Sequence, residues 1–262
     1  MNFLRNTIHY FFLPIVVLLF FFGMLKIKKK ARLHRKNKNL FFTKDRYTAI
    51  YKMVKKALYI KNVKLIYEKN VNYSFAKPIL FVCNHKSNID PLLIFKILYE
   101  LCDGNFSNEF IFISKIENKK NKRSLTTSAL DLLNTIFLDR TNVRQQFLAF
   151  QEQIDIVNSG KSIVIFPEGT RIYDDTIGEF KPAAFKIAYK CYSQIQPIMI
   201  FGSSGLMDNN KKYKNKNKKV IIKFLNLIKP NNFINTEEVF LAENIREKIE
   251  KEYLLLLNKN KY

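Results

Sequence analysis

Between residues 8 and 27 the chain reads IHYFFLPIVVLLFFFGMLKI, an apolar block without alternation and without a charge from Tyr10 to Leu25. A membrane-spanning helix needs about 20 such residues, whereas a signal-peptide core has about 7–15. No small-residue cleavage site follows. The next residues, 26–38, are KIKKKARLHRKNK, a dense cationic collar. The block therefore predicts an anchoring helix, with Pro14 as the point where a re-entrant hairpin would break. By the positive-inside rule the collar stays cytoplasmic, which places the rest of the chain on the cytoplasmic face of a cell membrane. Each cation near an anionic leaflet adds roughly 1 kcal/mol, so the collar is also expected to hold the chain against lipid.

Beyond the collar two periods take turns. In 43–58, Tyr47, Ile50, Met53, Val54 and Leu58 recur at spacings of three and four, which predicts an amphipathic helix. Helices are likewise predicted over 91–101, 125–133, 143–157 (capped by Asn142 and stopped by Asn158, Ser159 and Gly160), 182–192 and 237–257. Short runs at 63–67, 79–82, 110–113, 135–138, 162–166, 197–201 and 220–225 read as strands, several of them wholly apolar. Apolar strands alternating with helices imply an α/β domain: a mixed, mostly parallel sheet covered by helices on both faces. The expected organisation is an anchor and collar at 1–38 and a globular domain at 39–262, whose motif-bearing core is 78–205.

Composition sharpens this in two ways. With 262 residues, 47% hydrophobic and 26% charged, the chain can bury a sizeable core. Its net charge of +23 predicts an anionic partner: a phospholipid surface, a phosphorylated substrate or a nucleic acid. Lys-, Asn- and Ile-rich usage without Trp also fits AT-rich coding, which accounts for part of that charge. The lysine runs KKNKR (119–123) and KKYKNKNKK (211–219) suggest a non-enzymatic, membrane-bound nucleic-acid binder as a rival reading. Tyr213 is the only aromatic in either run, so no stacking platform is evident and no specific nucleic acid is expected. Cys83, Cys102 and Cys191 are widely separated, which fits a reducing compartment and argues against zinc. Neither a GxGxxG nor a P-loop motif is present, nor a nucleophile elbow.

The candidate chemistry lies where strands end. In CNHKSNIDPLL (83–93), His85 and Asp90 are five positions apart. Within a regular helix they would point well over 100° apart. Here the segment leaves a strand and enters a helix, so the loop can fold the carboxylate back onto the imidazole. A carboxylate on one ring nitrogen fixes the tautomer and supports proton uptake by the other. The competing reading makes Asp90 a helix N-cap ahead of Pro91. At 166–171, FPEGTR follows an apolar strand directly: Pro167 stops the strand, Gly169 allows a tight turn, and Glu168 and Arg171 emerge where α/β sheets bind ligands. Arg recognises phosphate bidentately. Arg140 in FLDR and Lys115 in SKIE end two further strands; each alone reads as a surface charge rather than a ligand.

Taken in order and spacing, NHKSNID, FISKIE, FLDR, FPEGTR, EFKPAAFKIA and QPIMI resemble the glycerolipid acyltransferases, most closely the 1-acyl-glycerol-3-phosphate (lysophosphatidic acid) acyltransferases. The resemblance covers residues 78–205. It implies transfer of an acyl group from acyl-CoA or acyl-carrier protein to the hydroxyl of lysophosphatidic acid, giving phosphatidic acid. It implies His85 as general base with Asp90 as its orienting partner. Glu168, Gly169, Thr170 and Arg171 would bind the acceptor around its glycerol phosphate, and Arg140 would help hold the phosphate. Lys115 would assist with phosphate or with the thioester oxyanion. No metal or cofactor is implied. A sibling acting on another lysophospholipid, a glycolipid or glycerol phosphate is the near alternative. The chain departs from the family pattern at Pro182 and Ala183, where Lys and Gly are frequent, and at Asn88, where an aromatic is frequent. The segment YDDTIGE (173–179) looks like an insertion at the pocket rim.

Overall fold

The structure, a computed structural model, describes residues 2–67, 77–103, 109–119, 121–207 and 218–259. Most of the second lysine run, up to residue 217, lies outside the described residues. Seven strands form one sheet: β1 (Lys64–Tyr67), β2 (Ile79–Cys83), β3 (Phe110–Lys115), β4 (Ile136–Leu138), β5 (Ser162–Ile165), β6 (Gln194–Phe201) and β7 (Lys219–Phe224). Their spatial order is β1-β7-β6-β2-β5-β3-β4. All pairings are parallel except β6 with β7. The sheet is mixed and mostly parallel, as the apolar strands predict.

Helices cover both faces because the central strands are apolar on both. On β2, Ile79, Phe81 and Cys83 face one core, and Leu80 and Val82 the other. The first core is closed by α2 (Thr43–Ile60) and α3 (Asp90–Leu101), with part of α1 (Asn2–Lys36) and of α4 (Leu125–Leu132). The second is closed by α5 (Val143–Asn158), α6 (Lys186–Cys191) and α7 (Glu238–Lys259). Asn142 caps α5 by accepting the Gln145 amide, and Ser124 caps α4 through Thr127.

Three expectations change. First, α1 runs unbroken through Pro14 and through the collar, so Pro14 is not a hairpin break. The collar is partly an interface: Ile27, Ala31 and His34 are buried. His34 Nε2 lies 2.9 Å from Asn134 Oδ1, and Arg35 pairs with Asp131 at 2.5 Å. Second, β6 begins at Gln194 and carries Pro197 inside it. Proline is tolerated there because the opposite Leu225 carbonyl, left without an amide from Pro197, accepts the Gln196 side-chain amide at 2.6 Å, while the Pro197 carbonyl accepts the Leu225 amide; the β7 ladder itself starts at Ile198. Third, 182–192 is not one helix. A 3-10 turn at Pro182–Phe185 leads into α6, which stops at Tyr192 in a left-handed conformation (φ 51°).

The direction of the chain fixes which end of the molecule is which. The parallel strands β2 to β6 end on one side, termed the site end below. β1 runs opposite to β2, so its first residue, Lys64, is at the site end. α2 finishes just before it, and the Tyr59 hydroxyl there donates to the His9 carbonyl of α1. At the other end of α1, His34 and Arg35 meet α4 just before β4 begins. The apolar half of α1 therefore emerges at the site end, and the docked collar lies at the opposite end.

Candidate active site

Register brings the two main motifs together. In the parallel β2–β5 pair, Val82 is opposite Ile165. His85 and Glu168 each lie three residues beyond that pair, at one level past neighbouring strand ends. A backbone bond seals the junction: the Ile172 amide donates to the His85 carbonyl at 2.9 Å. On the other side of β2, the Asn84 side chain donates to the Ile200 carbonyl (2.9 Å) and accepts the Ile200 amide (2.7 Å). Asn84 thus extends the β2–β6 pairing with an amide side chain and fixes the strand end from which His85 projects.

His85 Nδ1 is 2.9 Å from Asp90 Oδ2. The imidazole is 18% exposed and the carboxylate 0%. The same Asp90 oxygen accepts the backbone amides of Lys86 (2.6 Å) and Ser87 (2.7 Å). These bonds hold the buried carboxylate aimed at the ring. They also decide between the two readings of Asp90. It is the first residue of α3, but its side chain caps nothing in its own helix; the flanking residue is Ile89, without a side-chain cap bond. The carboxylate turns back to the preceding loop instead. With Nδ1 engaged, Nε2 is the nitrogen left to take a proton. The Phe166 ring, 4.5 Å from the imidazole between centroids, supports its other side.

Glu168 is not displayed to solvent. It is buried, and burial pushes its carboxyl up to about 7. The Lys86 ammonium and the backbone amides of His85 and Gly178 oppose that rise, while Asp90 adds to it. Neither Glu168 oxygen makes a fully formed hydrogen bond among the described residues. Lys86 is the residue that sequence reasoning missed. It is 0% exposed, and its ammonium donates to the carbonyls of Asp174 (2.9 Å) and Thr176. It also sits 4.9 Å above the Tyr253 ring of α7. Burial pulls its pKa down against the pull of Glu168 and the nearby aspartates. The only signal in the sequence was its place next to His85, which reads as an ordinary solvated lysine.

The remaining residues fall around the same turn. Gly169 is left-handed (φ +69°), and a Cβ there would lie 2.7 Å from both terminal nitrogens of Arg140. Arg140 reaches across the end of β3 and donates to the Gly169 carbonyl at 2.7 Å. Thr170 is exposed. Arg171 is half-buried, with its guanidinium 5.4 Å over the Tyr173 ring. Lys115 is exposed at the end of β3, two strands from β2, and no described contact joins it to His85. Pro182 and Ala183 form the 3-10 turn, and Lys181 pairs with Glu179 at 2.9 Å.

A base paired to a buried carboxylate, one strand away from an arginine-bearing turn, can deprotonate a hydroxyl beside an anionic group. The acyltransferase family model matches residues 60–201. The probable 1-acyl-sn-glycerol-3-phosphate acyltransferase of Mycoplasma genitalium is 37% identical over 79% of this chain and 77% of its own length. Its counterpart in Mycoplasma pneumoniae is 33% identical over 79% and 78%. The crystal structure of the 1-acyl-sn-glycerophosphate (LPA) acyltransferase of Thermotoga maritima shares the fold, with a TM-score of 0.66, 23% identity and 98% of each chain covered. The chain is therefore an acyltransferase and belongs to the 1-acyl-sn-glycerol-3-phosphate acyltransferase family.

Proposed function

We propose that the protein transfers a fatty acyl group from acyl-CoA or acyl-carrier protein to the free hydroxyl of 1-acyl-glycerol-3-phosphate, forming phosphatidic acid for phospholipid synthesis. The observation that carries this reading is the His85–Asp90 pair, 2.9 Å apart with the carboxylate fully buried. His85 Nε2 takes the proton as the acceptor oxygen attacks the thioester carbonyl. Asp90 holds Nδ1 and stabilises the imidazolium that forms. When the tetrahedral intermediate collapses, the C–S bond breaks and the thiolate takes the proton from Nε2. Arg171 and Arg140, both on or against the FPEGTR turn, bind the acceptor phosphate with Gly169 and Thr170. Glu168 acts from beneath, through Lys86 and the 173–179 loop. Lys115, further along the sheet, meets the phosphate or the thioester. The residues that carry the reaction are side chains alone, without a cofactor. α1 embeds the site end in the membrane, with the domain on the cytoplasmic face.

The test is purified protein and its His85→Ala variant, assayed in lipid with acyl-CoA and with acyl-carrier protein. The acceptor panel holds lysophosphatidic acid, glycerol 3-phosphate, other lysophospholipids and a glycolipid. The reading expects phosphatidic acid from the first acceptor and loss of roughly 10²-fold or more in His85→Ala, with an unchanged melting curve. Transfer undiminished in His85→Ala overturns the mechanism. A different preferred acceptor replaces the substrate and leaves the base–carboxylate pair intact.

A further inference from the structure

Helix α5 is half unpacked. Residues 141–148 are all exposed, and the first buried residue of the helix is Ala149. The two free turns are not polar. Val143 is 80% exposed, Phe147 61% and Leu148 49%. Val143 and Phe147, four apart, form one stripe, with Leu148 beside it. From Arg140 to Gln151 the sequence has no acidic residue, whereas Glu152 and Asp155 come later, in the second half of the helix. The helix is thus apolar and cationic at its start and acidic further on.

Topology says where that start lies. α5 follows β4, which runs parallel to β3, so its first turns are at the site end. The loop after β3 is at the same end and carries exposed Lys119 and Arg123. The apolar half of α1 also emerges at the site end, alongside α2, which leads into β1. β1 and β4 are the two edges of the seven-stranded sheet, about 30 Å apart at the usual strand spacing. Apolar surface therefore flanks the site from both edges.

We propose that the first two turns of α5 are a second membrane contact: Val143, Phe147 and Leu148 enter the boundary of an anionic bilayer, and Arg144, Lys119 and Arg123 meet its headgroups. Apolar residues on one helical face with cations around them are what an interfacial helix requires. A second contact point also fixes the tilt of the domain, which one helix cannot do, and holds the site mouth against the layer that carries a lipid acceptor. That last step rests on the proposed reaction; the contact itself does not.

The experiment uses the full chain in vesicles of phosphatidylglycerol and phosphatidylcholine. An environment-sensitive dye is attached at Phe147→Cys or, as a control on the same helix, at Asp155→Cys, and is read by quenching from spin-labelled lipid. Strong quenching at 147 and little at 155 is expected. Equal quenching at both positions, or none at 147, overturns the proposal. So does a signal at 147 that responds to acyl-carrier protein or to protein concentration but not to the spin-labelled lipid, because the face would then meet a protein. This readout needs no turnover, so it stands or falls apart from the proposed reaction. In the activity arm, the double variant Val143→Ser/Phe147→Ser is expected to lose roughly fivefold on a vesicle-borne acceptor. It is expected to keep its rate on a short-chain, water-soluble acceptor. Equal loss on both, or on neither, counts against the contact.

Discussion

At the residue scale, the site depends on groups buried beneath it. Asp90 accepts two amides and the imidazole with one oxygen. Asp90→Asn keeps the shape but replaces a charge-assisted set of bonds with weaker ones and offers a donor where an acceptor is needed. Turnover should fall roughly 10²-fold or more, with a stability loss of about 1.5–3 kcal/mol. Steady-state rates beside a melting curve check both. Glu168 gives a pH signature. Its folded pKa, raised to about 7, lies above the ordinary carboxylate value, so the folded state holds a proton that the unfolded state has released. Stability from this group is present below the unfolded pKa, near 4.3. It is lost as pH rises through about 7. Glu168→Gln should remove that slope and melt higher than the native chain above pH 7. Identical pH slopes in the two proteins would show that this carboxyl is not their source. Lys86→Met, leaving the carbonyls of Asp174 and Thr176 without their cation, should free the 173–179 loop. Faster proteolysis within that loop, together with a raised KM, is the expected result.

At the element scale, much was legible in the sequence. The central strands were apolar and the helices periodic, so the layers followed from pattern alone. His85, Asp90 and the FPEGTR turn were marked by position at strand ends. What stayed hidden depended on contacts distant in sequence. Nothing local tells that Lys86 reaches residues 174 and 176, or that Arg140 holds the Gly169 carbonyl 29 positions away. Pro197 read as the start of a strand because its tolerated place at the end of a ladder depends on β7. The collar read as lipid-facing because the partners of His34 and Arg35 lie about a hundred residues on. Two substitutions test these elements. Gly169→Ala meets both a left-handed backbone and the Arg140 guanidinium, and the backbone term alone costs about 1–2 kcal/mol. If Arg140 is the steric partner, the cost should shrink in an Arg140→Ala background, which a double-mutant cycle measures. At the α1 interface, Ala31 is 0% exposed. Ala31→Leu should overpack it and cost about 1–3 kcal/mol, read as a lower melting temperature with the His85 site intact.

At the scale of the whole molecule, the charge of +23 has to be placed before it explains anything. Some of it is spent inside the fold, where Arg46 bonds the Leu132 carbonyl and Glu109 and Lys86 is buried, and some in the exposed pair of Arg35 with Asp131. Among the described residues, the exposed cations Lys115, Lys119, Lys122, Arg123 and Arg144 lie at the site end, where they add to a long-range field. Such a field raises the encounter rate with an anionic surface or an acidic donor and is screened over about 8–10 Å at ordinary salt. Binding by buried hydrogen-bonded charges is screened much less. Raising salt from 50 to 500 mM should therefore lower the rate on vesicles rich in phosphatidylglycerol, mainly through KM. It should do little on neutral phosphatidylcholine vesicles carrying the same small mole fraction of acceptor. Arg144→Glu with Arg123→Glu should flatten the salt dependence on anionic vesicles and leave kcat unchanged. A salt dependence equally steep on both vesicle types would place the screened charge in the acceptor or donor pocket itself, and the exposed cations at the site end would have no part in it.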